Sequence, residues 1–513
     1  MLVQQEIMYS KHKFTNVTKL FSGMNIIDTP DIVTKKGQAT YILNCYNYPE
    51  GGIARLFGRS KHNSVTIGAT SKITGIYQLN IETPAFFCIA DTKLYKDNNG
   101  TWEDKTGSVT ITSDANNLVH FSRFQDNMIA TFYNRDAAIE HAGGAGNAAE
   151  VTNMPAGRFN AVLANRLFSF NTAANPKLGY WSGLNDRTSW DTTNDFLNFK
   201  ESESDNEEIS GVGEHLNNII VGKENSIFRV YHTGTFPPFK YYIISHNHGI
   251  QSHYSVQNIP PAGVFPERLI WVGRDNFYQL IGDTVTSIAD DIKPFFSEGA
   301  PFQINLNRLK YLVSGIIKEK NLYFCTFTSG SGSTNDYIFI LDYKNMLWAI
   351  SDFTVNSFGV RIVSGREFLY SGTYTGFVAK HDPAVYNNLG IAYTSQLYFP
   401  WVDFGDTQLE KQLKYLIALF DAVGSFDITF EYRTNLTTDT ITLNTASGAD
   451  LLGIDFIIGT SVLGGVSLIE RVGTINKRCK RVQILISQST LDAYFRLFAL
   501  GLLWKPKKGY RIE

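Results

Sequence analysis

Short apolar runs separated by dense clusters of turn residues recur along most of the chain. In Leu269–Gly282 the run Leu269–Val272 is followed by Gly273-Arg274-Asp275-Asn276, then by Phe277–Ile281, and is closed by Gly282-Asp283. Asp and Asn tolerate positive φ and hydrogen-bond their own backbone, so this punctuation predicts a tight antiparallel hairpin. The same layout returns at Phe86–Tyr95, His120–Phe132, Ala161–Phe170, Val212–Val221, Leu312–Phe327 and Val360–Tyr370. The turn centres fall near positions 91, 126, 165, 217, 275, 320 and 366. Their mean spacing of about 46 residues is that of one propeller blade per repeat, although no sequence motif repeats with it.

These seven hairpins predict an all-β fold: a β-propeller-like repeat array of six to eight blades over residues 61–385. An N-terminal arm with platform strands precedes it (1–60). Near residue 385 the pattern changes. The stretch His381–Gly390 holds a Pro and two Asn and reads as a linker. Beyond it Ile391–Phe404, Gln412–Phe420, Ser425–Arg433, Arg481–Ser487 and Tyr494–Trp504 alternate or cluster apolar residues in short strands. They predict a C-terminal β-sandwich over 386–513.

Composition sharpens this picture at three points. In 513 residues there are 36 Phe, 26 Tyr and 42 Gly, and no long run has helical periodicity, which suits an all-β chain with many turns. The formal net charge of −2 argues against a basic nucleic-acid reader. The four cysteines, Cys45, Cys88, Cys325 and Cys479, are far apart in apolar settings, so reduced, buried thiols are expected, with neither a disulfide framework nor a metal site. The first residues lack a signal-peptide pattern, and no apolar run approaches the roughly 18–20 residues needed to span a bilayer. A soluble chain is therefore expected.

Candidate chemistry is sparse. His246 and His248 share a strand face two residues apart, but no Asp, Glu or Cys lies beside them to complete a metal set. Asp97–Asp104 has the composition of a calcium loop or a sialidase Asp-box but the spacing of neither, and reads as a hairpin turn with Trp102 in the core. Gly222-Lys223 lacks the upstream glycine of a phosphate loop, and no Gly-x-Ser-x-Gly elbow positions a serine. Asp290 and Asp291 point to opposite faces if extended. No catalytic residue, metal or cofactor is expected. The run Lys200–Glu208 carries five carboxylates, Glu201, Glu203, Asp205, Glu207 and Glu208, and one lysine. It reads as a solvated loop without buried residues, so that replacing all five by Ser leaves folding intact.

Three segments resemble the nozzle and packaged-DNA stabilisation proteins of short-tailed bacteriophages. The first is carried by Phe21, Gly23, Met24, Asn25, Asp28, Pro30, Asn44, Gly52, Ile53, Arg55 and Gly58; the second by Asn165–Phe168, Asn175-Pro176, Tyr180, Ser182, Asp186 and Trp190; the third by Gly222–Ile227 and Ser245–Gly249. The C-terminal strands resemble the same family. The family opening has a second Gly where Ser22 stands, and its Arg-Pro-Gly departs here to Leu56-Phe57-Gly58-Arg59. The resemblance implies a virion structural protein of the tail, assembled in the host cytoplasm. It implies a homo-oligomer, a hexameric ring, that joins portal, adaptor and other tail proteins around a channel for double-stranded DNA. DNA carries one charge per about 1.7 Å, so an acidic or neutral wall lets it slide, and Glu201, Glu203, Asp205, Glu207 and Glu208 become candidates for a channel or rim loop. The alternative from another class is a glycan-binding or glycan-cleaving propeller, which needs aromatic stacking surfaces or a carboxylate pair in a concave pocket.

Overall fold

The computed structural model describes residues 13–18, 21–27, 37–68, 71–202, 204–297, 303–446 and 469–507. Asp28, Pro30 and Glu203 lie outside the described residues. Contacts divide the chain into two compact units. One comprises Ser60–Phe339 and Phe353–His381; the other comprises Met1–Arg59, Ile340–Asp352 and Asp382–Glu513.

The first unit is a β-propeller-like array of seven antiparallel blades, six of them separate sheets of four or five strands and the sixth in order one end of a nine-stranded sheet. The blades begin with the strands Ile73–Leu79, Val119–Phe124, Gly157–Leu163, Gly211–His215, Gln257–Ile259, Ser314–Ile317 and Ser357–Val363. Each of these strands touches the next, and the seventh touches the first, so they form a closed ring. The ring is tight. A Cβ on Gly359 would sit 2.4 Å from the Ile76 carbonyl oxygen, and one on Gly75 would sit 2.6 Å from the Phe121 ring. Strand Arg59–Lys61, which directly precedes the first blade in the chain, is the outer strand of the seventh. Each innermost strand is an edge of its own sheet, short and covered by its neighbours in the ring.

All seven expected turns fall one to a blade. Ala164-Asn165, Leu216-Asn217 and Ser364-Gly365 have positive φ at both central positions, the backbone that matches strand twist in a two-residue hairpin. The looseness of the repeat has a simple cause. Five of the turns join first and second strands, whereas those at 91 and 275 join second and third strands. The interval after 91 is therefore short and the interval before 275 long.

The core lies between neighbouring blades. Phe87 and Leu94 of the first meet Met128 and Phe132 of the second. Phe168, Phe170 and Trp181 of the third meet Phe228 and Phe239 of the fourth. Ile220 and Ile227 of the fourth meet Leu269 and Trp271 of the fifth. Each such side chain contributes about 1.5–3 kcal/mol on burial, which is why blade sequences are aromatic on alternate positions.

The second unit contains two sheets. One has the order Cys45–Asn47, Ile53–Arg55, Tyr494–Pro506, Lys411–Val423, Ile469–Cys479, with Lys13–Thr18 also paired to Tyr494–Pro506. The other runs Leu347–Ser351, Tyr41–Leu43, Ser395–Tyr398, Val482–Gln488, Asp427–Thr434, Thr438–Asn444. Gly473 of the first approaches Ile441 of the second closely enough that a Cβ would stand 2.7 Å from its methyl carbon. The sequence assigned residues 1–60 to a separate arm and 386–513 to their own domain; here residues up to Arg59 group with the C-terminal strands. The reason is hydrogen bonding: the three-residue strands Tyr41–Leu43 and Ile53–Arg55 each have one edge paired to a C-terminal strand, Ser395–Tyr398 and Tyr494–Pro506.

Candidate functional site

The acidic run connects the third and fourth blades, and its carboxylates are largely committed. Glu208 accepts from Arg158 Nη1 at 2.6 Å and Arg135 Nη2 at 3.2 Å. The Arg158 guanidinium lies over the Tyr133 ring. Asp205 accepts from Lys223 Nζ at 2.5 Å, and the Lys223 side chain is fully buried. The same carboxylate accepts from the backbone N–H groups of Glu201 and Glu207. Burial opposes its ionisation, but the Lys223 bond and these two amides outweigh that, so its carboxyl lies below the usual carboxylate range. Glu207 accepts from the backbone and side-chain nitrogens of Asn225. Glu201 stands 3.4 Å from His246 Nδ1. No described residue of the run is buried as a whole, as expected, but its carboxylates are held by partners that the reading as a solvated loop did not foresee. The reason is that Arg135, Arg158 and Lys223 are remote in sequence, and blade stacking brings them to the run.

His246 and His248 have separate partners: His246 faces Glu201, while His248 Nδ1 bonds Ser245 Oγ at 2.8 Å and its ring packs edge-on against Tyr278. Among the described residues no three His, Cys, Asp or Glu side chains gather as a metal would require. Asp97 begins the expected hairpin turn and accepts from Gly100 N–H at 2.7 Å. It also holds His62 Nε2 at 3.0 Å and Arg361 Nη2 at 3.1 Å, with Phe86, Trp102 and Tyr370 around the imidazole. Nothing in the sequence pattern links positions 62, 97 and 361.

The axis of the first unit holds a partly enclosed polar arrangement. The 3-10 turn His253–Ser255 lies across the ring. Tyr254 Oη donates to the Leu118 carbonyl of the second blade, and Tyr323 Oη of the sixth donates to the Ser255 carbonyl, both at 2.8 Å. A cavity of about 330 Å³ adjoins this turn, lined by Gly75, Tyr77, His120, Glu214, Gln257 and Asn258 among others. The His120 and His253 rings stand 4.2 Å apart, edge to face. His253 Nδ1 accepts the Val212 N–H at 3.1 Å, which puts the proton of its neutral form on Nε2. Burial pushes His120 down to about 4, and burial, then repulsion from His120, holds His253 well below its ordinary value. Both are neutral at physiological pH. One carboxylate, Glu214, lines the cavity. Two neutral imidazoles and a lone carboxylate suit packing and hydrogen bonding better than paired acid–base work. The sequence reading passed over His120 and His253 because neither belongs to a motif.

Asn44, Arg55 and Gly58 of the first resembling segment are framework positions of the second unit. Asn44, at positive φ, donates from Nδ2 to Asp352 Oδ1 and the Thr394 carbonyl, and its Oδ1 accepts from Ser351 Oγ. Arg55 is fully buried; Nη1 donates to the Thr490 and Ala493 carbonyls, Nη2 donates to the Tyr393 carbonyl, and the guanidinium lies 4.2 Å from the Tyr393 ring centre. At Gly58 a Cβ would fall 1.9 Å from the Asn387 oxygen. Asn165 forms its hairpin turn, and Ser182 Oγ accepts the Leu167 N–H.

No family model matches the sequence, and no curated protein matches it. Among solved structures, the chain is similar to the extracellular domain of BT4673 from B. thetaiotaomicron (11% identity, TM-score 0.40), covering 72% of this chain and 44% of that one. It is also similar to YCF48 from Cyanidioschyzon merolae (10% identity, TM-score 0.41, 64% of this chain and 99% of that one). A third is the Neurospora crassa Pan2 WD40 domain (8% identity, TM-score 0.36, 63% and 95%).

Proposed function

We propose that this chain is a virion structural protein of a bacteriophage tail, one copy of a homo-oligomeric ring, a hexamer, set at the hub, nozzle or connector around the DNA channel. The observation that carries the reading is the role of the residues that resemble the tail-protein opening. Asn44, Arg55 and Gly58 hold strands together through buried hydrogen bonds or a backbone approach that admits no side chain. A resemblance at such positions is a resemblance of framework, as expected between proteins that act through shape. Polar groups at the axis and in the acidic run are turned toward one another, which also suits a protein that works by geometry without a cofactor.

In this reading the ring retains the packaged genome and lets it pass at ejection, with DNA touching a wall that does not hold it. Glu201, whose partner His246 stands at 3.4 Å, is the described residue of that run taken here as the candidate to present charge to the channel or rim. Native mass spectrometry of the purified chain, alone and with portal, adaptor and tail proteins, tests the proposal. A closed ring is expected in at least the mixed sample. A chain that stays monomeric in both overturns it.

A further inference from the structure

The fourth and fifth blades pack closely at Ile227, which meets Leu269 and Trp271. Further along the same strand face the packing opens. Arg229 and Tyr231 follow Ile227 at two-residue steps, and Tyr242 on the next strand pairs directly with Arg229, so all three side chains share one face. The Gly282-Asp283 turn of the fifth blade forms the opposite wall, and Leu216 and Asn218 close one end. The result is a groove of about 330 Å³, at the small end of the roughly 300–1,000 Å³ range of ligand sites.

Its chemistry is selective. The Tyr231 and Tyr242 rings stand 6.0 Å apart at 54°, forming an aromatic corner, and Tyr242 is 41% exposed. Tyr242 Oη donates to Asp283 at 3.1 Å, and Arg229 Nη2 lies 2.9 Å from the same carboxylate. These two bonds fix Asp283, whose side chain is 58% exposed, so its remaining lone pairs face solvent as positioned acceptors. Asn218 adds an amide at the rim. Because Arg229 is already neutralised by Asp283, the groove offers an anion no uncompensated charge and meets it with a carboxylate. An apolar ligand would strand these polar groups. A ligand with an apolar ring face and a rim of hydroxyls satisfies both the aromatic corner and the acceptors.

We propose that this groove binds a neutral pyranose unit of a glycan, with the C–H face of the sugar on Tyr242 and its hydroxyls on Asp283 and Asn218. The inference stands apart from the assembly reading, since it concerns a surface of one chain. Saturation-transfer NMR of the full chain with lactose, maltose and N,N′-diacetylchitobiose tests it, with glucose 6-phosphate as the anionic comparison. Transfer to the ring protons of at least one disaccharide is expected. Tyr242→Ala should weaken that affinity roughly tenfold with unchanged melting, as the side chain is half exposed. Tyr242→Phe keeps the ring and should retain most of the binding. The proposal is overturned if none of the three disaccharides shows transfer at millimolar concentration, if Tyr242→Ala binds as well as the parent, or if glucose 6-phosphate displaces the disaccharide.

Discussion

Lys223→Met gives the sharpest test of how the acidic run is held. The ammonium of Lys223 is fully buried, 2.5 Å from an Asp205 carboxylate whose side chain is 8% exposed. Removing it leaves that carboxylate without its cation, in a site that water scarcely reaches. Breaking a buried pair from one side costs about 3–5 kcal/mol, and the lower end applies here because Asp205 keeps the amides of Glu201 and Glu207. Denaturant unfolding followed by tryptophan fluorescence should show the loss as a lower midpoint at unchanged slope. Adding Asp205→Asn removes the stranded charge and should recover roughly 2 kcal/mol, a coupling that a double-mutant cycle isolates. The pH dependence follows from the depressed carboxyl of Asp205: its contribution is present above the ordinary carboxylate pKa and is lost as pH falls through the lower folded value, so the parent and Lys223→Met should converge in acid. For the same reason, replacing Glu201, Glu203, Asp205, Glu207 and Glu208 by Ser should destabilise the fold, mainly through stranded Lys223, Arg135 and Arg158. A Lys223→Met midpoint equal to that of the parent, or a double variant no better than the sum of its parts, would refute the reasoning.

Arg55→Met should cost about 3 kcal/mol or more, because three buried carbonyls lose charge-assisted donors, and Arg55→Lys should fail to restore them since one ammonium cannot reach both sides of the guanidinium; thermal unfolding of both variants checks this. His120 should cause stability to fall as pH drops from about 6.5 toward 4, because the unfolded chain takes up a proton there that the folded one refuses; the slope, read from melting against pH, should flatten in His120→Asn. The four cysteines are free and buried, and burial pushes the Cys45, Cys325 and Cys479 thiols up to about 12, so strong reductant should leave the melting temperature unchanged and iodoacetamide should label only after denaturation.

What the sequence determined by itself was local. Turn chemistry and two-residue alternation are short-range properties, so the seven hairpins, their one-per-blade placement and the all-β class were legible from runs such as Leu269–Ile281. The C-terminal strands at 412–420 and 494–504 were legible for the same reason. Which elements meet was not. Strands Tyr41–Leu43 and Ile53–Arg55 carry no mark of partners more than 350 residues away, and an arm and a sheet component look alike before the edge they join is known. The acidic run shows the limit most clearly. Its composition is that of a solvated loop, yet the cations that pair with it come from positions 135, 158 and 223, and their approach depends on how successive blades stack. The His120–His253 contact and the Tyr231–Tyr242 groove arise likewise from ring closure and blade packing. Short-range physics chose the strands, while burial and hydrogen-bond satisfaction across long chain separations decided which polar groups face one another and which face water.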